Sequence, residues 1–177
     1  MTDYVQLVVT PPEPFGATLI RRIGARTTHG VLVEIATLAE TSLFISAPFI
    51  FISPETAGGP LAMALKQAAE RSVKIDIVST SESIARLKVA LPDLLKYPKV
   101  NLFRPRSEMA TDSVLGSHAK VFIADESYGY IGSANLTDTG LLNNLEMGVV
   151  VRGPIAQAAT VFWLELERLG FLEHVEK

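Results

Sequence analysis

Apolar residues in this chain recur at two alternating rhythms, one of two residues and one of three to four, and the switches between them mark out its elements. Val31, Leu32, Ile35 and Leu38 share helical spacing behind Thr27 and Thr28, either of which offers a capping hydroxyl. Leu61, Leu65, Ala68 and Ala69 mark an amphipathic helix ending near Glu70, entered from a Pro54–Pro60 loop broken at Gly58 and Gly59. Ile84, Leu87 and Leu91 mark another, opened at Ser81 or Ser83 and stopped by Pro92. A short helix is expected over Ala17–Ala25. The last helix starts near Pro154 and ends near Gly170, with an expected core stripe of Ile155, Ala158, Phe162, Leu166 and Leu169 and with Trp163 packed beside it.

The two-residue rhythm gives the strands. Val73, Ile75 and Ile77 alternate with Lys74 and Asp76. Leu43–Phe51 reads as one short buried strand, followed by Val100–Phe103, Ala119–Ala124, Tyr128–Gly132 and Leu145–Val151. A tight turn at Asp125–Ser127 joins the fourth and fifth of these runs. Arg104–Ser117 reads as a polar loop. Residues 1–16, with Pro11, Pro12 and Pro14, are expected to be extended or poorly ordered. Strands alternating with helices predict an α/β fold, and 177 residues suffice for one domain spanning 1–177 with a real core.

Composition narrows the chemistry. Hydrophobic residues make up 48% and charged residues 20%, the balance of a globular chain. The absence of cysteine excludes disulfides and thiolate metal sites, and three histidines (His29, His118, His174) leave little for a histidine-rich metal cluster. His29, at a helix start, and His174, in the C-terminal tail, are expected at the surface. A net charge of −3 is not that of a protein that coats nucleic acid, though a local cationic groove can still hold a phosphate or two. Met1–Thr10 has no basic and apolar leader, and the longest apolar stretch is too short for a bilayer and is interrupted by Ser46 and Pro48. The expectation is a cytoplasmic protein with no membrane partner.

The informative stretch is Gly116–Gly148. His118 and Lys120, two apart on an expected strand, leave the same face. Ser133 and Asn135 share one parity at the end of the next strand, so the two strand ends can converge on one pocket. An imidazole, an ammonium, a hydroxyl and a carboxamide suit a phosphodiester: Lys120 supplies positive charge, Ser133 and Asn135 donate to nonbridging oxygens, and His118 serves as nucleophile or acid. No carboxylate cluster fit for Mg²⁺ accompanies them, so neither metal nor cofactor is expected. Glu146 is expected to accept a hydrogen bond from His118 and fix its tautomer. Asp125 has two readings, a catalytic one and that of a turn aspartate bonding local backbone. Arg104 and Arg106 precede the stretch as candidate phosphate contacts or as solvated loop residues.

His118-x-Lys120, Asp125 four residues on, and Gly132-Ser133-x-Asn135 after six more match the HKD motif of the phospholipase D superfamily at every defined position, and the chain is identified as a single-motif, nuclease-like member of it. Asn144-x-Glu146 resembles the family's supporting acid. The resemblance implies a mixed central sheet flanked by helices on both faces. It also implies a two-step reaction through a phosphohistidine, in which a second motif copy protonates the leaving oxygen. One copy per chain then implies a homodimer acting on nucleic acid, with a lipid phosphodiesterase or phosphatidyl transferase as the other reading. In size class and motif the chain also resembles the phospholipase-D-like members of phage-defence clusters of the DISARM type, or a subunit of a restriction system, which implies partner proteins.

Overall fold

The computed structural model describes residues 4–53, 56–109 and 116–177. The strands are β1 (Tyr4–Thr10), β2 (Arg26–Thr27), β3 (Ser42–Ser46), β4 (Ile50–Phe51), β5 (Lys74–Val78), β6 (Val100–Pro105), β7 (Lys120–Ala124), β8 (Tyr128–Gly132), β9 (Leu136–Thr137), β10 (Glu146–Arg152) and β11 (Leu172–Val175). The helices are α1 (Gly16–Ile23), α2 (Thr28–Leu38), α3 (Pro60–Glu70), α4 (Ser81–Ala90), α5 (Pro92–Leu95), α6 (Asp138–Leu142) and α7 (Pro154–Arg168). Thr27 caps α2 through a bond from Gly30 N, and Thr80 rather than a serine caps α4 through one from Ser83 N.

Nine strands form one mixed sheet in the order β11-β6-β5-β3-β7-β8-β10-β1-β2, with helices on both faces. Strands β3, β5 and β6 run parallel and β7 returns antiparallel to β3. The parallel strands are nearly continuous apolar runs, because both of their faces are covered. On one face α2, α3, α4 and α5 close the main core over Leu43, Ile45, Ile75, Ile77, Phe122 and Tyr130. On the other, α7 sets Trp163 against Phe44 at 4.9 Å and Ala156 against Val121, Ile123 and Val151.

Several expectations are corrected. Of the two readings given for residues 1–16, residues 4–10 take the extended one: they form β1, in full register with β10. Leu43–Phe51 is two strands, since Pro48 has no amide for the ladder and its carbonyl turns to Ser79, Thr80 and Ser83. Strand β4 leaves the main sheet to pair with β9. Arg104 and Pro105 end β6 instead of opening a loop, while the centre of the expected 104–117 loop and the start of the 54–60 loop lie outside the described residues. The expected α7 stripe holds at Leu166, and Trp163 packs as expected, but the rest of the stripe is misplaced by one position. Ala156, Trp163 and, in part, Ala159 and Leu166 face the sheet, leaving Ile155, Phe162 and Leu169 exposed. A helix seated on only one small patch need bury only one narrow row, and the large Trp163 decides which. The C-terminal tail forms β11 against β6, with His174 exposed and edge-on to Phe103. His29, expected at the surface, is half-buried beside Leu61 and Leu136, and burial lowers its basicity.

Candidate active site

The site gathers at the sheet edge where β7 begins and β8 ends. Lys120 pairs with Gly132 across those strands, and Gly132 pairs in turn with Gly148 of β10. This register puts the residues before Lys120, after Gly132 and at the start of β10 at one point. His118 lies just outside β7 rather than on it, and is exposed, whereas Lys120 is only 6% exposed. The two still meet. Lys120 folds back so that its Nζ lies 3.0 Å from both Nδ1 and Nε2 of His118 and donates to the His118 carbonyl at 2.9 Å.

Burial beside Leu32, Phe122 and Leu136 strips hydration from the Lys120 ammonium and lowers its pKa, while the charge of Glu146 pulls the other way. Ser133 Oγ donates to Glu146 and accepts from Met147 N at 3.1 Å, and Ser133 N bonds Met147 O at 3.0 Å, so the turn after β8 is tied to β10. Glu146 takes a hydrogen bond from Ser133, and none joins it to His118 among the described residues. Asn135 stands between the buried Ala134 and Leu136, and its Oδ1 is shut from solvent with no partner among the described residues.

The sequence did not single out Tyr130. This side chain is 1% exposed, and its hydroxyl accepts from Ala134 N at 3.3 Å, directly beneath the Ser133–Asn135 turn. Its ring lies across two glycines. A methyl group at Gly132 would sit 2.2 Å from the Tyr130 hydroxyl, and one at Gly148 would sit 2.5 Å from Cε2. Both glycines are thus required by close approach of the ring, which joins β8 to β10 under the site. The available signal was a tyrosine two residues before a glycine whose cross-strand partner is also glycine.

Two other sets of candidates stand apart. Asp125 directly follows the opposite end of β7, five residues after Lys120. Its Oδ1 accepts from Thr41 N (2.8 Å), Thr41 Oγ1 (2.7 Å) and Ser42 N (3.0 Å), and its Oδ2 accepts from Glu40 N (3.0 Å). Its φ of 51° is the left-handed conformation that aspartate tolerates in a turn. Burial disfavours the charge, but these donors outweigh it and hold the carboxyl below its ordinary pKa. Arg104 and Arg106 share the site's edge but lie at β6, three strands from β7, or about 14 Å at the usual strand spacing. Arg104 is engaged by Glu173 at 2.5 Å and Ser81 at 3.0 Å, and Arg106 packs beside Gly170.

Chemically the cluster can attack, charge-stabilise and orient. An exposed imidazole, a buried ammonium and a hydroxyl held by a carboxylate meet there. Among the described residues no group of three or more His, Asp or Glu side chains is placed to hold a metal ion, and no helix is long and apolar enough to cross a membrane.

The family model described as "Cardiolipin synthase, PLD-like domain" matches residues 32–169. Among solved structures, the chain is similar to the phospholipase D family member Nuc from Salmonella typhimurium (20% identity, 99% of this chain and 100% of that one, TM-score 0.65). It is similar also to NucT from Helicobacter pylori (19% identity, 98% and 100%, TM-score 0.69) and to phosphatidylserine synthase from Haemophilus influenzae (12% identity, 98% and 40%, TM-score 0.69). At these identities the likeness is one of fold. A curated relative, the DISARM protein DrmC of Bacillus paralicheniformis, is 36% identical over 58 residues, which span 33% of this chain and about a quarter (24%) of that protein.

Proposed function

The chain belongs to the phospholipase-D-like domain family, and on that premise we propose that it is a metal-independent nuclease, hydrolysing DNA or RNA through a phosphohistidine in a homodimeric site. The observation that carries this reading is His118, exposed, with the Lys120 ammonium 3.0 Å from its ring beside the Ser133–Asn135 turn. His118 attacks phosphorus, forming a P–N bond as the P–O bond breaks. The leaving oxygen takes a proton from His118 of the partner subunit. Water then attacks phosphorus, gives its proton to that second imidazole, and the P–N bond breaks. Lys120, Ser133 and Asn135 bind the nonbridging oxygens, on which charge accumulates in both steps. Dividing one hard displacement into two is the source of the rate gain.

Two imidazoles are needed, and one protomer supplies one: His29 is half-buried beside α3 and His174 lies on β11. Leu145 and Met147, both exposed, flank Glu146, and Met147 N bonds Ser133, so apolar surface adjoins the half-site where a second copy would seat. Nuc and NucT are matched over 100% of their own length, whereas phosphatidylserine synthase, equally alike in fold, is matched over 40% of its length, and this one-unit architecture supports a nuclease over a lipid enzyme. The stretch shared with DrmC favours a role in a phage-defence system with partner proteins.

The test is cleavage of a labelled oligonucleotide in excess EDTA by protein whose mass is measured by sedimentation. A dimer that cuts in EDTA, loses activity in His118→Ala, and yields acid-labile phosphoprotein on rapid quench supports the proposal. Activity that disappears on chelation, or that survives the substitution, overturns it. Phosphatidate release from phosphatidylcholine vesicles, with no cut in nucleic acid, transfers the same chemistry to a lipid substrate.

A further inference from the structure

The segment that runs from β3 to β4 crosses the candidate site. It leaves β3 at Ser46, whose Oγ donates to the carbonyl of Ala119 at 3.2 Å, next to His118. It arrives at β4, where Ile50 pairs with Leu136 and Phe51 with Thr137, just past Asn135. Phe49 is therefore placed between the two arms of the site. The backbone here is pinned from beneath. Ser79 Oγ donates to Ala47 O at 2.6 Å, Thr80 Oγ1 and Ser83 Oγ donate to Pro48 O at 3.0 and 2.9 Å, and Ile50 N donates to Ser83 Oγ at 3.1 Å. In extended chain, residues 49 and 51 point to one side and residue 50 to the other. Ile50 is accordingly buried, while Phe49 and Phe51 remain 44% and 45% exposed.

Two half-exposed aromatic rings on a backbone fixed in this way, the second of them also lining an apolar cavity with Ile52 and Leu136, call for an occupant beside the candidate cluster. The Arg86 guanidinium lies 5.5 Å from the centre of the Phe51 ring, and one of its nitrogens is paired with the exposed Glu82 at 2.6 Å. An apolar, π-faced shelf with a cation at its end and an ammonium at its root matches one ligand chemistry, unpaired bases on a phosphodiester backbone. Stacking needs a free base face, which a duplex keeps inside its own stack.

We propose that Phe49 and Phe51, with Arg86, form a base-stacking shelf that makes single-stranded nucleic acid the substrate of this site. The proposal rests on the nuclease reading above. Rings two residues apart on a strand are about 7 Å apart, a distance that lets them engage neighbouring bases of an extended strand. The shelf acts on binding, since it touches bases and not the phosphorus.

The experiment uses the whole protein and three labelled probes: oligothymidylate, an abasic strand of the same length, and oligothymidylate annealed to oligoadenylate. Stacking of one base is worth about fivefold in binding or more. The expected result is that the wild-type kcat/KM on oligothymidylate exceeds that on the abasic strand and on the duplex by at least tenfold. In Phe49→Leu/Phe51→Leu the preference for thymidylate over the abasic strand falls to within about twofold of unity, mostly through KM. A double variant that keeps the full preference overturns the shelf while leaving the nuclease reading standing, and so does wild-type protein that cuts duplex as readily as single strand. Wild-type protein that cuts none of the three probes and no oligouridylate, yet hydrolyses bis(p-nitrophenyl) phosphate in a His118-dependent manner, overturns the nuclease reading itself and the shelf with it. A double variant that sediments as a monomer when the wild type is a dimer reassigns the rings to a protein interface, and that too refutes the shelf.

Discussion

Replacing Asp125 separates architecture from chemistry in the motif. Its carboxylate takes four hydrogen bonds from residues 40–42, the link that carries α2 into β3, and none from the site. Bonds to a charged acceptor contribute about 1.5–3 kcal/mol each when buried. Three of these four are exposed, and the donors they release can turn to water, so each is worth less than that, about 0.5–1 kcal/mol, and the set sums to about 2–4 kcal/mol. Alanine adds about 1 kcal/mol because its Cβ is strained at the φ of 51°. Asparagine tolerates that φ and keeps one carbonyl acceptor, so it loses about 1–2 kcal/mol. At roughly 2–4 °C per kcal/mol for a chain of this size, Asp125→Ala lowers the unfolding temperature by about 10 °C and Asp125→Asn by about 4 °C.

The assay pairs calorimetry at pH 7 with oligonucleotide turnover at a temperature well below both transitions, where kcat should remain within threefold of wild type. A variant that unfolds at the wild-type temperature yet turns over a hundredfold more slowly would refute this reasoning and return Asp125 to the catalytic set. The pH dependence gives an independent check. The folded-state pKa is lowered, so the carboxylate's contribution is present above the unfolded value near 4 and is lost as pH falls through the folded one. The wild type should lose this increment of stability below about pH 4, and Asp125→Asn should not.

Other positions carry sharper outcomes. Tyr130→Phe leaves the buried amide of Ala134 without its acceptor and releases the Ser133–Asn135 turn; kcat should fall about tenfold with KM little changed, as read by steady-state kinetics on an oligonucleotide. Gly148→Ala drives a methyl into the Tyr130 ring and should lower the denaturant midpoint strongly, in the range of about 1–3 kcal/mol or more. Trp163→Ala empties the contact between α7 and Phe44 and should cost about 3–5 kcal/mol in chemical denaturation. Arg104→Ala breaks a partly exposed pair with Glu173, so stability should change by less than about 1 kcal/mol and the KM for an oligonucleotide should stay within twofold.

Local pattern was enough for much of this protein. Period-two and helical spacings located α2, α3, α4, β5, β7 and β8, because each buries one clear face and begins or ends on a residue with its own turn or cap chemistry. The motif's fixed spacing was enough to bring His118 and Lys120 to the Ser133–Asn135 turn, since a hairpin of set length fixes which strand ends meet. Partners distant in sequence were beyond its reach. That β1 is a strand depends on β10, about 140 residues on. Which row of α7 is buried depends on the Phe44 surface that Trp163 meets, and Ile155 and Phe162 are as apolar as any core residue. Glu146 has Ser133 for a partner only because β10 lies beside β8, and Asp125 reaches Glu40, Thr41 and Ser42 only because β3 lies beside β7. Short-range periodicity encodes what a segment can bury; the packing of remote segments decides what each side chain touches, and the chemistry of this site depends on those contacts.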